Sequence, residues 1–131
     1  MPTFSLTNFD HPAATDFLDE FRDDPSEVLL LEALVTAAEA DGSLETDEAA
    51  AALAAAEVVA AWLGEPSPAL PPELEAVVDD LDISDEEELT DLARRAVQAV
   101  LHDSELREQW QASGRLPQWQ TVQEDVLKRL E

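Results

Sequence analysis

Four side chains with oxygen donors alternate along one short stretch of the chain, a spacing that suits a metal ion. They are Asp41, Ser43, Glu45 and Asp47. Oxygen ligands at positions one, three, five and seven of a loop between two helices are typical of calcium sites. Such a loop also needs Gly at its sixth position and Glu at its twelfth, where this chain has Thr46 and Ala52. Two interpretations therefore stand: a low-affinity divalent-cation site at Asp41, Glu45 and Asp47, or a capped, solvated turn.

Acidic residues are also concentrated in two clusters elsewhere in the chain. The first comprises Glu20, Asp23, Asp24 and Glu27, and the second comprises Asp79, Asp80, Asp82, Asp85, Glu86, Glu87 and Glu88. The formal net charge is −24, and residues 1–93 hold 25 acids and a single base, Arg22. A field of this sign attracts basic partners and repels nucleic acid and anionic membranes. We interpret the second cluster as an interaction surface; a solvated surface or a salt-adapted host would also produce acidity.

Glu57 is the one residue between positions 49 and 63 that is not apolar, which makes it a candidate general base. A carboxylate suits that role when burial favours its protonated form. An Ala-rich helix more often has one face exposed to solvent, and we expect Glu57 to lie on that solvent-exposed stripe. If Glu57 is buried instead, Arg94 or Arg95 is its expected partner, because an unpaired buried charge is strongly destabilising.

The pattern for nucleophilic catalysis is missing. His102, Asp103 and Ser104 are neighbours in sequence, whereas catalytic triads assemble from distant segments. We interpret His102 as the end of one helix and Ser104 as the cap of the next. The chain has no Cys, which excludes thiolate chemistry, and only three Gly, too few for a Gly-rich phosphate loop. We therefore expect neither an enzyme nor a cofactor.

Apolar residues recur with helical periodicity along most of the chain, which predicts about six to seven helices. Start and stop signals place them at about 11–23, 25–40, 46–63, 72–81, 85–102, 105–113 and 116–130. The predicted fold is a compact all-α bundle in a single domain, 1–131. An N-terminal arm at 1–9 and a Pro-rich connector at 65–72 complete it.

The Ala-rich stretch from Thr46 to Gly64 is the predicted centre of this bundle, because Ala is the best helix former and its small side chain admits close neighbours. The expected helix caps are Asp24, Thr46, Ser84 and Ser104. Trp62, Trp110 and Trp119 fall at core positions of their helices. The stretch is shorter than the roughly 20 apolar residues that span a bilayer. Without a signal peptide, the chain is predicted to be soluble and cytoplasmic.

Several segments, taken in order, resemble one known family. They are F-D-H-P-A-A-T-D-F-L-D-E-F at 9–21, the Ala-rich segment at 44–64, L-P-P-E-L at 70–74, and S-E-L-R-E-Q-W at 104–110 with the later Trp119. Together they resemble the family called domain of unknown function 4259. The resemblance implies a single small bacterial α domain and no particular reaction. The segment A-D-G-S-L-E-T-D-E at 40–48 also looks like the acidic helix–loop–helix of tellurite-resistance proteins, which hints at metal binding.

The acidic surface therefore gives the main functional hypothesis, a non-enzymatic protein-binding or regulatory domain whose partner is a basic protein. Direct binding to nucleic acid or membranes is not expected, because both are anionic. Two alternatives stay open. The first is an immunity-type or DNA-mimic inhibitor of a basic nucleic-acid-binding protein. The second is a divalent-cation-binding protein that uses the acidic turn.

Overall fold

The structure is a computed structural model that describes residues 12–39, 44–65, 72–81 and 83–130. The described residues form seven α-helices and no β-strand. They are α1 (Pro12–Asp23), α2 (Glu27–Ala38), α3 (Thr46–Trp62), α4 (Pro72–Asp79), α5 (Glu86–His102), α6 (Glu105–Ala112) and α7 (Leu116–Arg129). The predicted all-α class and helix number are confirmed. None of these helices is long and apolar enough to cross a membrane.

The Ala-rich helix α3 lies at the centre and contacts all the other helices. Every residue from Ala52 to Ala60 is buried, so α3 has no solvent stripe along this part of its length. Small side chains explain the arrangement, because they let the axes of neighbouring helices approach closely. The expectation of a water-facing stripe on this helix is therefore wrong.

Three of the four expected helix caps are wrong by one or two residues. α2 begins after Ser26, whose Oγ accepts from the Val28 N–H at 3.1 Å, instead of after Asp24. α5 is capped by Asp85, whose Oδ1 accepts from the Glu88 N–H at 3.1 Å. Ser84, the expected cap, instead donates to the carboxylate of Glu27. α3 follows Glu45, which makes no side-chain cap bond.

The fourth cap and two glycine stops are confirmed. Ser104 Oγ accepts from the Arg107 N–H at 3.0 Å and donates to the Val100 carbonyl at 2.8 Å. Gly64 and Gly114 follow α3 and α6 with φ of 94° and 79°. Such values favour glycine because a Cβ would clash in the left-handed region.

At the N-terminal end of α3, backbone hydrogen bonds join Leu44 to the connection between α5 and α6. The Leu44 N–H donates to the Asp103 carbonyl at 3.3 Å, and the Leu44 carbonyl accepts from the Glu105 N–H at 2.8 Å. Gln109 Nε2 donates to Thr46 Oγ1 at 2.9 Å. We call this the α6 end. The opposite end holds the last residues of α1, α4 and α7 and the first turns of α2 and α5.

Candidate functional site

The fold brings the two acidic clusters of the sequence together. Glu27, in the first turn of α2, accepts from Ser84 through both carboxylate oxygens. The Ser84 hydroxyl donates to Oε1 at 2.8 Å and its N–H to Oε2 at 3.2 Å. These contacts join positions 57 residues apart and hold the α4–α5 connection against the start of α2. Two regions that are separate in sequence therefore form one surface.

We call this surface the acidic end. Its exposed carboxylates are Glu20, Asp23, Asp24, Glu73, Glu75, Asp79, Asp80, Asp85, Glu86, Glu87 and Glu88. Arg22 is the one base on the helices α1, α2 and α4. It lies 3.2 Å from Glu73 and 3.5 Å from Asp19, so its charge is already matched by two carboxylates. The surface consequently keeps a large excess of negative charge.

An open groove of about 570 Å³ lies within the acidic end, between the start of α2 and the end of α4. It is lined by Pro25, Ser26, Glu27, Ala76, Val77, Asp80 and Leu81. Val77 and Leu81 pack on the core and give the groove an apolar floor. Glu27 and Asp80 add carboxylates to its lining. We call it the acidic-end groove; sequence reasoning missed it because its two walls come from distant segments.

The predicted interaction residues are distributed within this surface. Asp79 and Asp80 are exposed at the end of α4, and Glu86 to Glu88 are exposed in the first turn of α5. Asp82 lies outside the described residues. Asp85 to Glu88 also stabilise α5, because carboxylates at a helix N-terminus interact favourably with the helix dipole. These residues therefore combine a structural role with the surface charge.

The candidate metal residues are described only in part. Asp41 and Ser43 lie outside the described residues. Glu45 and Asp47 are both exposed, immediately before α3 and in its first turn. Within the described ranges, no group of three or more His, Asp or Glu side chains is placed to hold a metal ion. The cation site at the acidic turn stays a prediction.

Glu57 is buried, with 2% of its surface exposed, so its expected place on a solvent stripe is wrong. Its Oε1 lies 2.8 Å from Nη2 of Arg129, near the end of α7. The expected partners, Arg94 and Arg95, instead pair with Asp91 on their own helix at 3.6 and 3.2 Å. Tertiary packing on all sides of α3 decides the position of Glu57, and a local sequence pattern does not contain that information.

Arg129 links three parts of the molecule through one guanidinium group. Nη2 contacts Glu57, Nε donates to Asp125 Oδ2 at 3.0 Å, and Nη1 donates to the Glu65 carbonyl at 3.2 Å. Only 13% of its side chain is exposed. The guanidinium therefore fastens α7 to the middle of α3 and to the segment just after it. An ion pair held in this way is suited to stability rather than to proton transfer.

The His102–Ser104 segment has the predicted structural role. His102 ends α5 and is exposed, and Asp103 is the residue that follows the helix. The buried Ser104 hydroxyl is occupied by the Val100 carbonyl and the Arg107 N–H. The other histidine, His11, lies outside the described residues. The contacts of Ser104 match a helix cap and not an activated nucleophile.

A second cleft, of about 460 Å³, lies between the start of α5 and the end of α7. Its lining residues are Leu63, Glu86, Glu87, Thr90, Arg94 and Leu130. The buried Thr90 Oγ1 has no hydrogen-bond partner among the described residues. Because Arg94 contributes a positive charge, this cleft is of mixed polarity, unlike the acidic-end groove.

Comparison with known proteins identifies a family. The family model described as domain of unknown function (DUF4259) matches residues 3–122, which is most of the chain. No curated protein and no solved structure matches the chain significantly. The matched range includes the Ala-rich and Ser-Glu-Leu segments that resemble this family. The chain belongs to the DUF4259 family, whose function is unknown.

Proposed function

We propose that this protein is a non-enzymatic binding module that captures a basic protein through its acidic end. The observation that carries the proposal is the junction of the two acidic clusters by Glu27 and Ser84. The α6 end also carries exposed carboxylates, among them Asp47, Glu48 and Glu105, but more of them are gathered at the acidic end. Such a surplus at one end creates a directional field. Such a field raises the rate of association with an oppositely charged partner.

The contacts of the candidate catalytic groups support a role without chemistry. Glu57 is held by Arg129, and the Ser104 hydroxyl is used as a helix cap. A general base needs access to substrate, and neither described groove is lined by Glu57. Binding without reaction therefore accounts for more of these features than catalysis does.

Basic nucleic-acid-binding proteins, including nucleases, are the narrower class of partner. Their positively charged grooves are built to neutralise rows of phosphates. A surface that holds carboxylates from four helix segments presents charge of the same sign as these phosphates. An inhibitor of this kind would compete with DNA for the groove of its target.

The test is a titration of this protein with a basic nuclease at increasing salt. Electrostatic attraction between exposed charges is screened beyond about 10 Å at 0.1 M salt. We therefore expect the affinity to fall by at least about ten-fold between about 50 and 500 mM salt, mainly through slower association. Duplex DNA should displace the protein from the nuclease. An affinity that does not change with salt contradicts the proposal.

A further inference from the structure

We propose that the acidic-end groove binds an arginine side chain of the basic partner, with the neighbouring aliphatic residue of the partner resting on Val28. This inference rests on the proposed function and names the point at which the partner is recognised. The groove is open and is bounded by residues at the start of α2 and the end of α4, so a side chain that projects from the surface of a partner protein can enter it.

The lining of the groove matches the two parts of an arginine side chain. Arginine has an aliphatic stem that prefers apolar surface and a planar cationic head that prefers carboxylates. Val77 and Leu81 supply apolar surface, and Glu27 and Asp80 supply the carboxylates. A purely polar groove would bind the head alone, and a purely apolar one would leave the charge unmatched. The combination therefore favours a long cationic side chain.

The two carboxylates of the groove are available to a cation. Asp80 forms no ion pair with any described residue, and it is exposed at the end of α4. Both oxygens of Glu27 accept from Ser84, which fixes the carboxylate in place without neutralising it. Fixing an acceptor before binding reduces the entropy lost when the partner arrives.

Exposed apolar side chains also lie on α2, outside the lining of the groove. Val28 directly follows Glu27 in the chain and is 57% exposed, which is high for a large hydrophobic residue. Val35 lies two turns further along α2 and is also exposed. A residue next to the arginine would cover part of this apolar surface and remove it from water. The second cleft lacks this complementarity, because Arg94 lines it.

The probes for this inference are two capped decapeptides with the same number of positive charges. One carries three arginines, each followed by leucine. The other carries 2,4-diaminobutyric acid in place of each arginine, which keeps the charge, shortens the stem and replaces the planar guanidinium by an ammonium group. At about 150 mM salt, where diffuse attraction is partly screened, we expect the arginine peptide to bind about ten-fold more tightly. Its longer stem buries more apolar surface, and its planar head can donate to both carboxylates.

Two pairs of variants locate the binding site. Asp80→Asn should weaken arginine-peptide binding about five-fold, whereas Asp79→Asn, which removes the same charge outside the groove, should weaken it less than about two-fold. Ala76→Trp should fill the groove and weaken binding about ten-fold. Gln98→Trp, at an exposed position of α5, is its control and should leave affinity unchanged.

The outcomes separate this inference from the proposed function. If the protein binds both peptides equally, and Asp80→Asn and Ala76→Trp behave like their controls, the acidic-end groove is not an arginine-binding site. The proposed electrostatic binding of a basic protein is then unaffected. If the protein binds neither peptide nor a basic nuclease at low salt, the proposed function fails and the groove with it. Circular dichroism on each variant establishes that a loss of binding is not a loss of folding.

Discussion

Replacing Arg129 with alanine is expected to destabilise the protein by about 3 kcal/mol. The substitution removes the cation that lies 2.8 Å from the buried carboxylate of Glu57. It also removes the donor to the Glu65 carbonyl. This destabilisation lies at the lower end of the range for breaking a buried ion pair, because the Arg129 side chain is 13% exposed and water reaches this edge of the bundle. Urea denaturation followed by circular dichroism measures it.

Two further variants show that the charge pair is the cause. Glu57→Gln removes the buried charge and keeps the shape, so it should cost less than Arg129→Ala. In the double variant, the two costs should not add, because both substitutions break the same contact. Arg129→Lys should destabilise the protein, but by less than Arg129→Ala. The ammonium group keeps the charge but lacks the planar set of donors that reaches three acceptors. Additive costs would show that Glu57 and Arg129 act independently.

Replacing Trp119 with alanine should be similarly severe, at about 3–5 kcal/mol. Trp119 is 2% exposed and is among the largest fully buried side chains. It lies in the first half of α7, whereas Arg129 fastens the other end of the same helix. The substitution would leave a large cavity between α7 and the rest of the core, and the surrounding helices relax only partly into such a space.

Trp110 supplies the matched control for this prediction. It lies on α6, the helix before α7, but it is only partly buried. Trp110→Ala should therefore cost clearly less than Trp119→Ala, as judged by the shift in denaturation midpoint. Equal destabilisation by the two substitutions would show that the difference in burial does not determine the cost of losing the indole ring.

The helices were predictable from the sequence because their signals are local. Apolar periodicity located all seven, and Gly64 and Gly114 marked two of the ends. The caps were less predictable, since several residues able to cap occur side by side at each helix start. Ser84 illustrates the difficulty: it has the right side chain for a cap, but it bonds to Glu27 at the start of α2 instead.

The environment of Glu57 was not predictable, because it depends on contacts between distant segments. A run of alanines is compatible with either a water-facing or a fully enclosed helix, and only the number of helices packed around α3 separates the two. Its partner was missed for the same reason. Arg94 and Arg95 already have Asp91 nearby on their own helix. Arg129 lies 72 positions after Glu57, beyond the residues that the family model matches.

The acidic clusters were also predictable from local sequence, whereas their arrangement in space was not. Composition identified the two clusters and the sign of their field. Their union at one end depends on the contact between Glu27 and Ser84, and the acidic-end groove depends on α4 lying beside the start of α2. The location of the negative charge is therefore a property of the fold, and it is the feature on which the proposed function depends.

The most direct test compares the two ends of the bundle at equal charge. One variant carries Asp23→Asn, Asp24→Asn, Asp79→Asn and Asp80→Asn at the acidic end. The other carries Asp47→Asn, Glu48→Gln, Glu105→Gln and Glu108→Gln at the α6 end. All eight positions are exposed, so both variants should remain folded.

The measurement is the affinity of each variant for a basic nuclease at about 50 mM salt, where surface charges are weakly screened. We expect a loss of at least about ten-fold for the acidic-end variant and at most about two-fold for the α6-end variant. Equal losses would show that net charge alone drives binding, and would contradict a specific role for the acidic end.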